Sequence, residues 1–229
     1  MVARKRTPKR RRPAAGEKKS DATRRHLLDK ALALFQKRGV TGTTMRDIAR
    51  AAGMSLGAAY YYFPSKEALV FAFYEQNQTE MEAVEVAGTL RERLGTLFHG
   101  KLDTIRDQRA MLAAIVQRLV DPGDPLSAFS AQSRAVRERA IAVLSRALDG
   151  SVPADVVPLV ATGLWLFQLA SMLIYVHDAS PGEARTHGLV DDGLDLIVPM
   201  LPILGTPMGR AFADRAAAAL ARAGIALVV

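Results

Sequence analysis

Cysteine is absent from the sequence, tryptophan occurs once, and aromatic residues make up only 6% of the chain. Without cysteine the chain can form neither disulfide bonds, nor thiolate zinc sites, nor a thiol nucleophile. The sequence also lacks a glycine-rich phosphate loop, a Gly-x-Ser-x-Gly elbow and a His-Glu-x-x-His zinc motif. We therefore expect no enzymatic activity, no cofactor and no bound metal.

The charge of the chain is distributed unevenly. The 229 residues, 49% hydrophobic and 24% charged, have a globular composition and a net charge of +8. Residues 1–20 hold nine Lys/Arg and one Glu, and residues 21–66 hold eight basic and three acidic side chains. Residues 67–229 hold fourteen basic and nineteen acidic side chains. One end of the chain is thus suited to a polyanion such as nucleic acid, while the other serves a different purpose.

The first twenty residues have a basic start but no apolar stretch of the kind found in secretory signals. We interpret residues 1–20 as a disordered basic arm. A transit peptide, or a solvated tail with no role beyond solubility, is the alternative. The arm's cationic residues proposed to contact DNA are Arg4, Lys5, Arg6, Lys9, Arg10, Arg11 and Arg12.

A stretch of 21 residues, Val156 to Val176, carries no formal charge and is long enough to cross a bilayer. Polar residues and Pro158 interrupt it, and no basic cluster flanks it. A helix that is apolar all round is equally suited to the centre of a helical domain or to an oligomer interface. We expect a buried or interface helix rather than a membrane span, in a cytoplasmic protein with no membrane partner.

Helical spacing of apolar residues recurs along the chain, and strand-like alternation is nowhere sustained, so an all-α fold is predicted. Gly39, Gly53 and Pro64 mark helix ends. Asp124-Pro125 and Thr206-Pro207 each predict an N-cap followed by proline at the first helical position. The predicted helices are 22–38, 44–52, 56–63, 65–87, 89–106, 108–120, 125–148, 153–177, 181–198 and 207–223.

Two of these helices are short and are joined by Gly53-Met54-Ser55, a pattern typical of a helix-turn-helix. Thr44 and Asp47 predict a capping box at the start of the first, and Ser55 predicts an N-cap for the second. At 100° per residue, the second helix has two faces. The inward face consists of Leu56, Ala59, Tyr62 and Phe63, and the outward face of Gly57, Ala58, Tyr60 and Tyr61.

The outward face suits a duplex. Gly57 and Ala58 have little bulk, which allows close approach of the backbone, while the hydroxyls of Tyr60 and Tyr61 can bond phosphates and their rings can pack on sugar or a thymine methyl. A tyrosine-rich core helix is the competing interpretation, but three adjacent tyrosines cannot all face one core.

With these elements the stretch 21–82 resembles the TetR family of transcriptional regulators. The matching segments are Ala-Leu-Ala-Leu-Phe at 31–35, Gly39 to Ala49, Ala52 to Ser55, and Tyr-Tyr-Tyr-Phe-Pro-Ser-Lys-Glu-Ala-Leu at 60–69. Ala58-Ala59 and Leu56 depart mildly from the usual pattern, which leaves the bases read undefined. The resemblance implies a three-helix DNA-binding domain over 21–66 and a larger helical effector-binding and dimerisation domain over 67–229.

The resemblance further implies a homodimer whose helix-turn-helix units occupy successive major grooves of double-stranded operator DNA. Thr44, Tyr60 and Lys66 then contact phosphates, and Ser55 either caps its helix or contacts a phosphate. The basic arm is expected to follow the adjacent minor groove. The groove and base-edge contacts implied are Met45, Arg46, Gly57, Ala58 and Tyr61.

For the larger domain, the resemblance implies an effector cavity and a dimer interface made by helices 153–177 and 181–198. We expect a mostly apolar small-molecule effector. The candidate pocket residues are Phe98, Met111, Ile115, Trp165 and Met172. The candidate interface residues are Leu164, Leu189, Leu194, Ile197 and Val198.

The sequence therefore predicts a DNA-binding transcriptional regulator that is a repressor released from its operator by a ligand. A non-specific architectural DNA-binding protein, a helical enzyme and a membrane-anchored regulator are the alternatives. His187 and Asp191 lie one helical turn apart, with His177-Asp178 just before. A metal site is the alternative interpretation of these residues, and a solvated helix surface near a turn is the one we favour.

Overall fold

A computed structural model describes residues 15–121 and 123–228, in which helices are present and strands are not. The predicted all-α fold is confirmed. The arm residues from Arg4 to Arg12 lie outside the described part of the chain. The α-helices are α1 (Ala15–Arg38), α2 (Met45–Ala51), α3 (Leu56–Tyr62), α4 (Lys66–Glu82), α5 (Leu90–Ile105), α6 (Arg109–Val120), α7 (Arg134–Leu148), α8 (Val157–Tyr175), α9 (Ala184–Met200) and α10 (Pro207–Arg222).

Helix α1 begins at Ala15, earlier than the expected residue 22, so residues 15–20 of the predicted arm are helical. Apolar spacing starts only at Leu27, and the prediction depended on that spacing. The preceding segment contains alanine, glutamate and lysine, which favour a helix without any buried face. The hydroxyl of Thr23 donates to the Lys19 carbonyl over 2.9 Å within this extension.

Helix α7 begins at Arg134, and the predicted N-cap at Asp124 is wrong. The Asp124 carboxylate accepts instead from the Leu126 amide and from the Arg118 guanidinium, each over 2.8 Å. The intervening segment, 123–133, forms turns that we call the 123–133 loop. Serine hydroxyls satisfy its buried carbonyls, as where Ser130 donates to Pro125 over 2.9 Å.

Helices α1 to α3 form a compact unit around a shared apolar core. Leu27 and Phe35 of α1 are fully buried with Ile48 of α2, Ala59 of α3 and Phe63. Gly39 and Gly53 adopt φ values of 69° and 66°, which end α1 and α2 in the left-handed conformation that glycine adopts without strain. This packing fixes how α3 is presented to solvent.

Helices α4 to α9 form a second bundle, and α4 packs against both units. Helix α8 and the turn before it, Ala154–Tyr175, are 22 residues long with a hydropathy of 1.8, enough to cross a membrane by length and composition. A bent pair formed by Pro181–Gly205 and Pro207–Arg222 meets the same test among the described residues. Core helices of soluble proteins meet it too, and α8 packs against α7, α9 and α6.

Helix α10 follows a bend of 111° after the segment that contains α9. The predicted cap is confirmed, because the Thr206 hydroxyl accepts from the Gly209 amide over 3.1 Å. A Cβ added at Gly209 would lie 2.0 Å from the Ile203 carbonyl oxygen. Only glycine therefore permits this corner.

Candidate nucleic-acid interface and ligand cavity

The helix-turn-helix is built by two side-chain caps. The Thr44 hydroxyl accepts from the Asp47 amide over 3.2 Å, and the Asp47 carboxylate accepts from the Thr44 amide over 3.1 Å, as the predicted capping box requires. The Ser55 hydroxyl accepts from the Ala58 amide over 3.1 Å. Met54 packs beneath the turn between the two helices. The two caps set where α2 and α3 begin and hence which faces point outward.

The two faces of α3 lie as expected. Ala59 is fully buried, whereas Tyr60 and Tyr61 are 47% and 83% exposed. Gly57 is exposed, and Ala58 beside it is half-buried. A Cβ added at Gly57 would meet no atom within 4 Å. The outward face of α3 therefore has open space over its first turn, at Gly57, and exposes two phenol rings farther along.

Helix α2 contributes Arg46 but not Met45. Met45 is only 7% exposed and belongs to the core, so a base or groove contact by this side chain is wrong. The Thr44 cap places position 45 at the first helical residue, on the side that faces α1. Arg46 is exposed and makes no ion pair within the described residues.

The two predicted phosphate contacts outside α3 already have partners in the protein. The Thr44 hydroxyl donates to the Asp47 carboxylate over 2.6 Å, and this hydrogen bond lowers the pKa of that carboxyl group. The Lys66 ammonium donates to the Val40 carbonyl over 2.7 Å and thereby ties the start of α4 to the loop after α1. Each group needs to rotate, or to use a remaining donor, to reach a phosphate.

The larger unit contains a cavity of about 120 Å³ between α4, α5, α6, α7 and α8. Trp165 and Met172 line it, as predicted, whereas Phe98, Met111 and Ile115 do not. Phe98 packs on Phe167 with ring centroids 5.3 Å apart. Met111 and Ile115 lie on the neighbouring face of α6 and are buried in the core, so those three predictions are wrong.

Several polar residues missed by the sequence analysis also line the cavity. Lys101 interrupts an apolar stripe at helical spacing, between Leu97 and Ile105 of α5. That interruption was the signal in the sequence. The polar and charged residues of the lining are Tyr74, Asn77, Gln78, Lys101, Ser133, Arg137 and Gln168.

Helices α8 and α9 leave an apolar strip exposed. Leu164 and Leu194 are buried within the chain, so their assignment to an interface is wrong, while Ile197 and Val198 are half-buried. The exposed apolar residues of α9 are Leu189, Leu196 and Met200, which lie on the side of the helix opposite the buried Leu194. We call the following residues the α8–α9 strip: Ile174, Leu189, Leu196, Met200 and Ile203.

The histidine cluster is a polar network between α5 and α9. His99 and His187 stack with their Nδ1 atoms 2.8 Å apart, and His99 Nε2 lies 3.0 Å from the Asp191 carboxylate. His177 is exposed away from it. Within residues 15–121 and 123–228 no group of three or more His, Asp or Glu side chains is arranged so that it could hold a metal ion.

Comparison with known proteins gives the same family for the N-terminal unit. Residues 27–73 match the profile described as bacterial regulatory proteins, tetR family. The chain is 36% identical over 70 residues to the HTH-type transcriptional regulator AcrR of Shigella flexneri, which covers 31% of this chain and 33% of AcrR. It is 47% identical over 58 residues to the HTH-type transcriptional repressor KstR2 of Rhodococcus jostii, which covers 25% of this chain and 28% of KstR2.

The chain thus spans about a third or less of the length of these two curated relatives, and both are described as regulators rather than enzymes. The whole fold is similar to a TetR transcriptional regulator from Nitrosomonas europaea, with a TM-score of 0.62 and 20% identity over 77% of this chain and 98% of that chain. The helix-turn-helix, its sequence match and the surrounding helical fold lead to one conclusion. Residues 27–73 carry the N-terminal domain of the tetR family of bacterial regulatory proteins, within a helical fold similar to that of a solved TetR regulator.

Proposed function

We propose that the protein is a sequence-specific transcriptional regulator that binds double-stranded operator DNA as a homodimer and represses until a small molecule enters its cavity. The observation that carries this proposal is the outward face of α3. A helix that exposes Gly57, Tyr60 and Tyr61 at the surface of a packed three-helix unit is suited to insertion in a major groove.

The groups around α3 support a DNA partner of defined sequence. Arg46 is free to reach a guanine edge in a bidentate contact, and the tyrosine hydroxyls are free to reach phosphates. Thr44, Ser55 and Lys66 border the same surface and are proposed phosphate contacts, with Ala58 in the groove. The arm, residues 4–12, adds sequence-independent attraction to the phosphate backbone.

The α8–α9 strip supports a homodimer. Leu189, Leu196 and Met200 follow one another at spacings of seven and four, so they form one face of α9. Leu196 is 74% exposed, and exposed apolar faces of this kind mark interaction surfaces. The same face on a second copy gives a symmetric four-helix contact, as a twofold interface requires.

In the proposed division of the chain, the arm and residues 21–66 bind DNA, and residues 67–229 bind the effector and dimerise. The protein then acts in the cytoplasm, where the operator is. The main alternative is an architectural DNA-binding protein that binds without an operator.

Selection of bound sequences from random DNA tests the proposal. We expect a near-palindrome whose half-sites lie about 34–36 Å apart or a multiple of it, because two α3 helices must enter successive major grooves on one side of the duplex. Excess unrelated DNA should fail to displace the protein from that site. Recovery of no common sequence would favour the architectural protein instead.

A chain of contacts connects the cavity with the DNA-binding unit. Arg118 of α6 donates to Asp124 of the 123–133 loop over 2.8 Å and to Glu67 at the start of α4 over 3.3 Å. The guanidinium lowers the pKa of Asp124, so both groups are ionised at neutral pH. One residue before Glu67, the Lys66 ammonium donates to the Val40 carbonyl. A change in the cavity wall can thus move the start of α4 and, with it, the helix-turn-helix formed by α2 and α3.

Replacing Arg118 with methionine should weaken operator binding about five- to tenfold, or about 1 kcal/mol, because the start of α4 loses its tether to the cavity wall. The measurement is operator affinity by fluorescence anisotropy in the absence of ligand. Arg139→Met is the matched control, since Arg139 pairs with Glu82 at the far end of the same helix. Equal losses in the two variants would contradict a role specific to Arg118.

A further inference from the structure

We propose that the effector is an amphipathic organic anion, a hydrocarbon chain ending in a carboxylate, and that the ammonium of Lys101 pairs with that carboxylate. This inference rests on the proposed function of the cavity as the effector site. It goes further because it names the chemistry of the ligand and the residue that selects it.

The hydrocarbon part of the ligand is indicated by the walls. Phe73, Ile105, Leu112 and Leu169 line the cavity together with Trp165 and Met172. Leu126 and Ala128 of the 123–133 loop close one side. Burial of hydrocarbon against such walls supplies affinity without direction, so a polar end must orient the ligand.

The charge of that polar end follows from the cations in the lining. Lys101 and Arg137 line the cavity, and no Asp or Glu lines it among the described residues. Arg137 uses one nitrogen to bond the Ala128 carbonyl over 2.7 Å and so holds the 123–133 loop. The Lys101 ammonium makes no ion pair and no hydrogen bond within the described part of the chain. A carboxylate would satisfy it.

Burial lowers the pKa of Lys101 to about 8, and Glu80 only partly opposes this effect. The ammonium is therefore retained at neutral pH in surroundings that disfavour its charge, and Glu80 offsets this cost only in part. A bound anion removes that cost, whereas a neutral ligand leaves it and a cationic ligand increases it. The cavity thus discriminates by the sign of charge as well as by shape.

Two neutral polar groups of the lining lack partners in the part of the chain that the structure describes. The Tyr74 hydroxyl and Asn77 Oδ1 are buried, line the cavity and have no hydrogen-bond partner among the described residues. Buried polar atoms without partners are uncommon in native proteins and point to an unseen partner. The Tyr74 hydroxyl can donate to a polar group of a ligand, and Asn77 Oδ1 can accept from one.

The single tryptophan, Trp165, lines the cavity and reports binding by its fluorescence. Decanoate, decanol and decylamine share one chain and differ in the charge of the end group. We expect decanoate to bind at least about tenfold more tightly than decanol, and decylamine to bind most weakly. Equal affinity for decanoate and decanol, or no response to any of the three, would overturn the proposal.

Lys101→Met should abolish the preference for decanoate over decanol and leave decanol affinity within about twofold, while Lys101→Arg should retain the preference. Arg134→Met is the matched control, because Arg134 is exposed on α7 and absent from the lining, so its loss should change neither affinity. A preference that persists in Lys101→Met would assign the selection to another group.

The preference should also depend on pH. Above about pH 8, decanoate affinity should fall up to about tenfold per pH unit, since only the charged ammonium attracts the carboxylate. The other ionisable groups of the lining do not titrate there, because burial raises the pKa of Tyr74 and Arg137 keeps its charge. Glu80, which is outside the lining, attracts the ammonium. Decanol affinity, and decanoate affinity of Lys101→Met, should be flat. A flat profile for decanoate in the unsubstituted protein would contradict the assignment.

The failure of this inference is distinguishable from failure of the proposed function. Operator affinity of the unliganded protein is measured on the same preparation. A protein that binds its operator but shows no preference for decanoate refutes the ligand class alone. A protein that prefers decanoate but selects no DNA sequence refutes the regulator and leaves the anion site standing.

Discussion

Replacing Gly57 with glutamate should reduce operator affinity at least about 30-fold while the protein stays folded. Gly57 is exposed in the first turn of α3, and an added Cβ meets nothing within 4 Å. Glutamate is a better helix former than glycine by about 0.5–1 kcal/mol, and a carboxylate near a helix N-terminus is favourable. The side chain would, however, occupy the space through which the backbone approaches the duplex and would place a negative charge among phosphates.

The size of the effect follows from symmetry, because each dimer presents the substituted helix twice. If each α3 helix loses about 1–3 kcal/mol of binding free energy, the loss for the dimer is twice as large, which corresponds to a roughly 30- to 10⁴-fold lower operator affinity. Anisotropy titration with the selected operator measures the loss, and thermal unfolding measures the stability. Thr96→Glu, an equal charge change at an exposed site on α5, should leave operator affinity within about threefold. Near-normal binding by Gly57→Glu would exclude α3 from the groove.

Replacing Leu196 with glutamate should convert the dimer into monomers and reduce operator affinity about 100-fold or more. Two carboxylates would face each other across the twofold axis in an apolar contact, which is costly without a partner charge. A monomer occupies one half-site and loses the gain from binding both at once. Light scattering at micromolar concentration measures the mass, and the selected operator measures the affinity.

Leu196→Ala provides the graded comparison, because it removes side-chain area without adding a charge. It should dimerise at higher protein concentration than the unsubstituted chain, with normal helical circular dichroism. Ala218→Glu on the exposed side of α10 adds the same charge as the stronger variant and should remain dimeric. A dimeric Leu196→Glu would move the interface away from the α8–α9 strip.

The sequence predicted those parts of the fold that depend on local chemistry. The capping box of Thr44 and Asp47, the left-handed Gly53 and the two faces of α3 each follow from a few neighbouring residues, and each is present in the structure. The DNA contacts assigned to that surface remain predictions. Met45 shows the limit, because the cap that was correctly predicted also turns its side chain into the core.

Parts that depend on contacts between distant residues were less predictable. Asp124-Pro125 has the pattern of a helix start, yet Arg118 and the Leu126 amide occupy the carboxylate and leave a loop there. Large side chains such as Phe98 suggested a pocket, but which face of α5 borders an empty volume depends on how α7 and α8 pack around it. Lys101 in the apolar stripe of α5 was the more informative residue, since a half-buried ammonium without an ion pair or hydrogen bond among the described residues requires a reason.

The 123–133 loop has a practical consequence for the design of biosensors. It contributes Leu126, Ala128 and Ser133 to the cavity wall, and its own serines satisfy its carbonyls, so its shape does not depend on the periodicity of any helix. Libraries of substitutions confined to Leu126 and Ala128 can therefore alter the size of the ligands that the cavity accepts, while the helical bundle and the helix-turn-helix are unchanged. Retuning of specificity in this scaffold is best begun there.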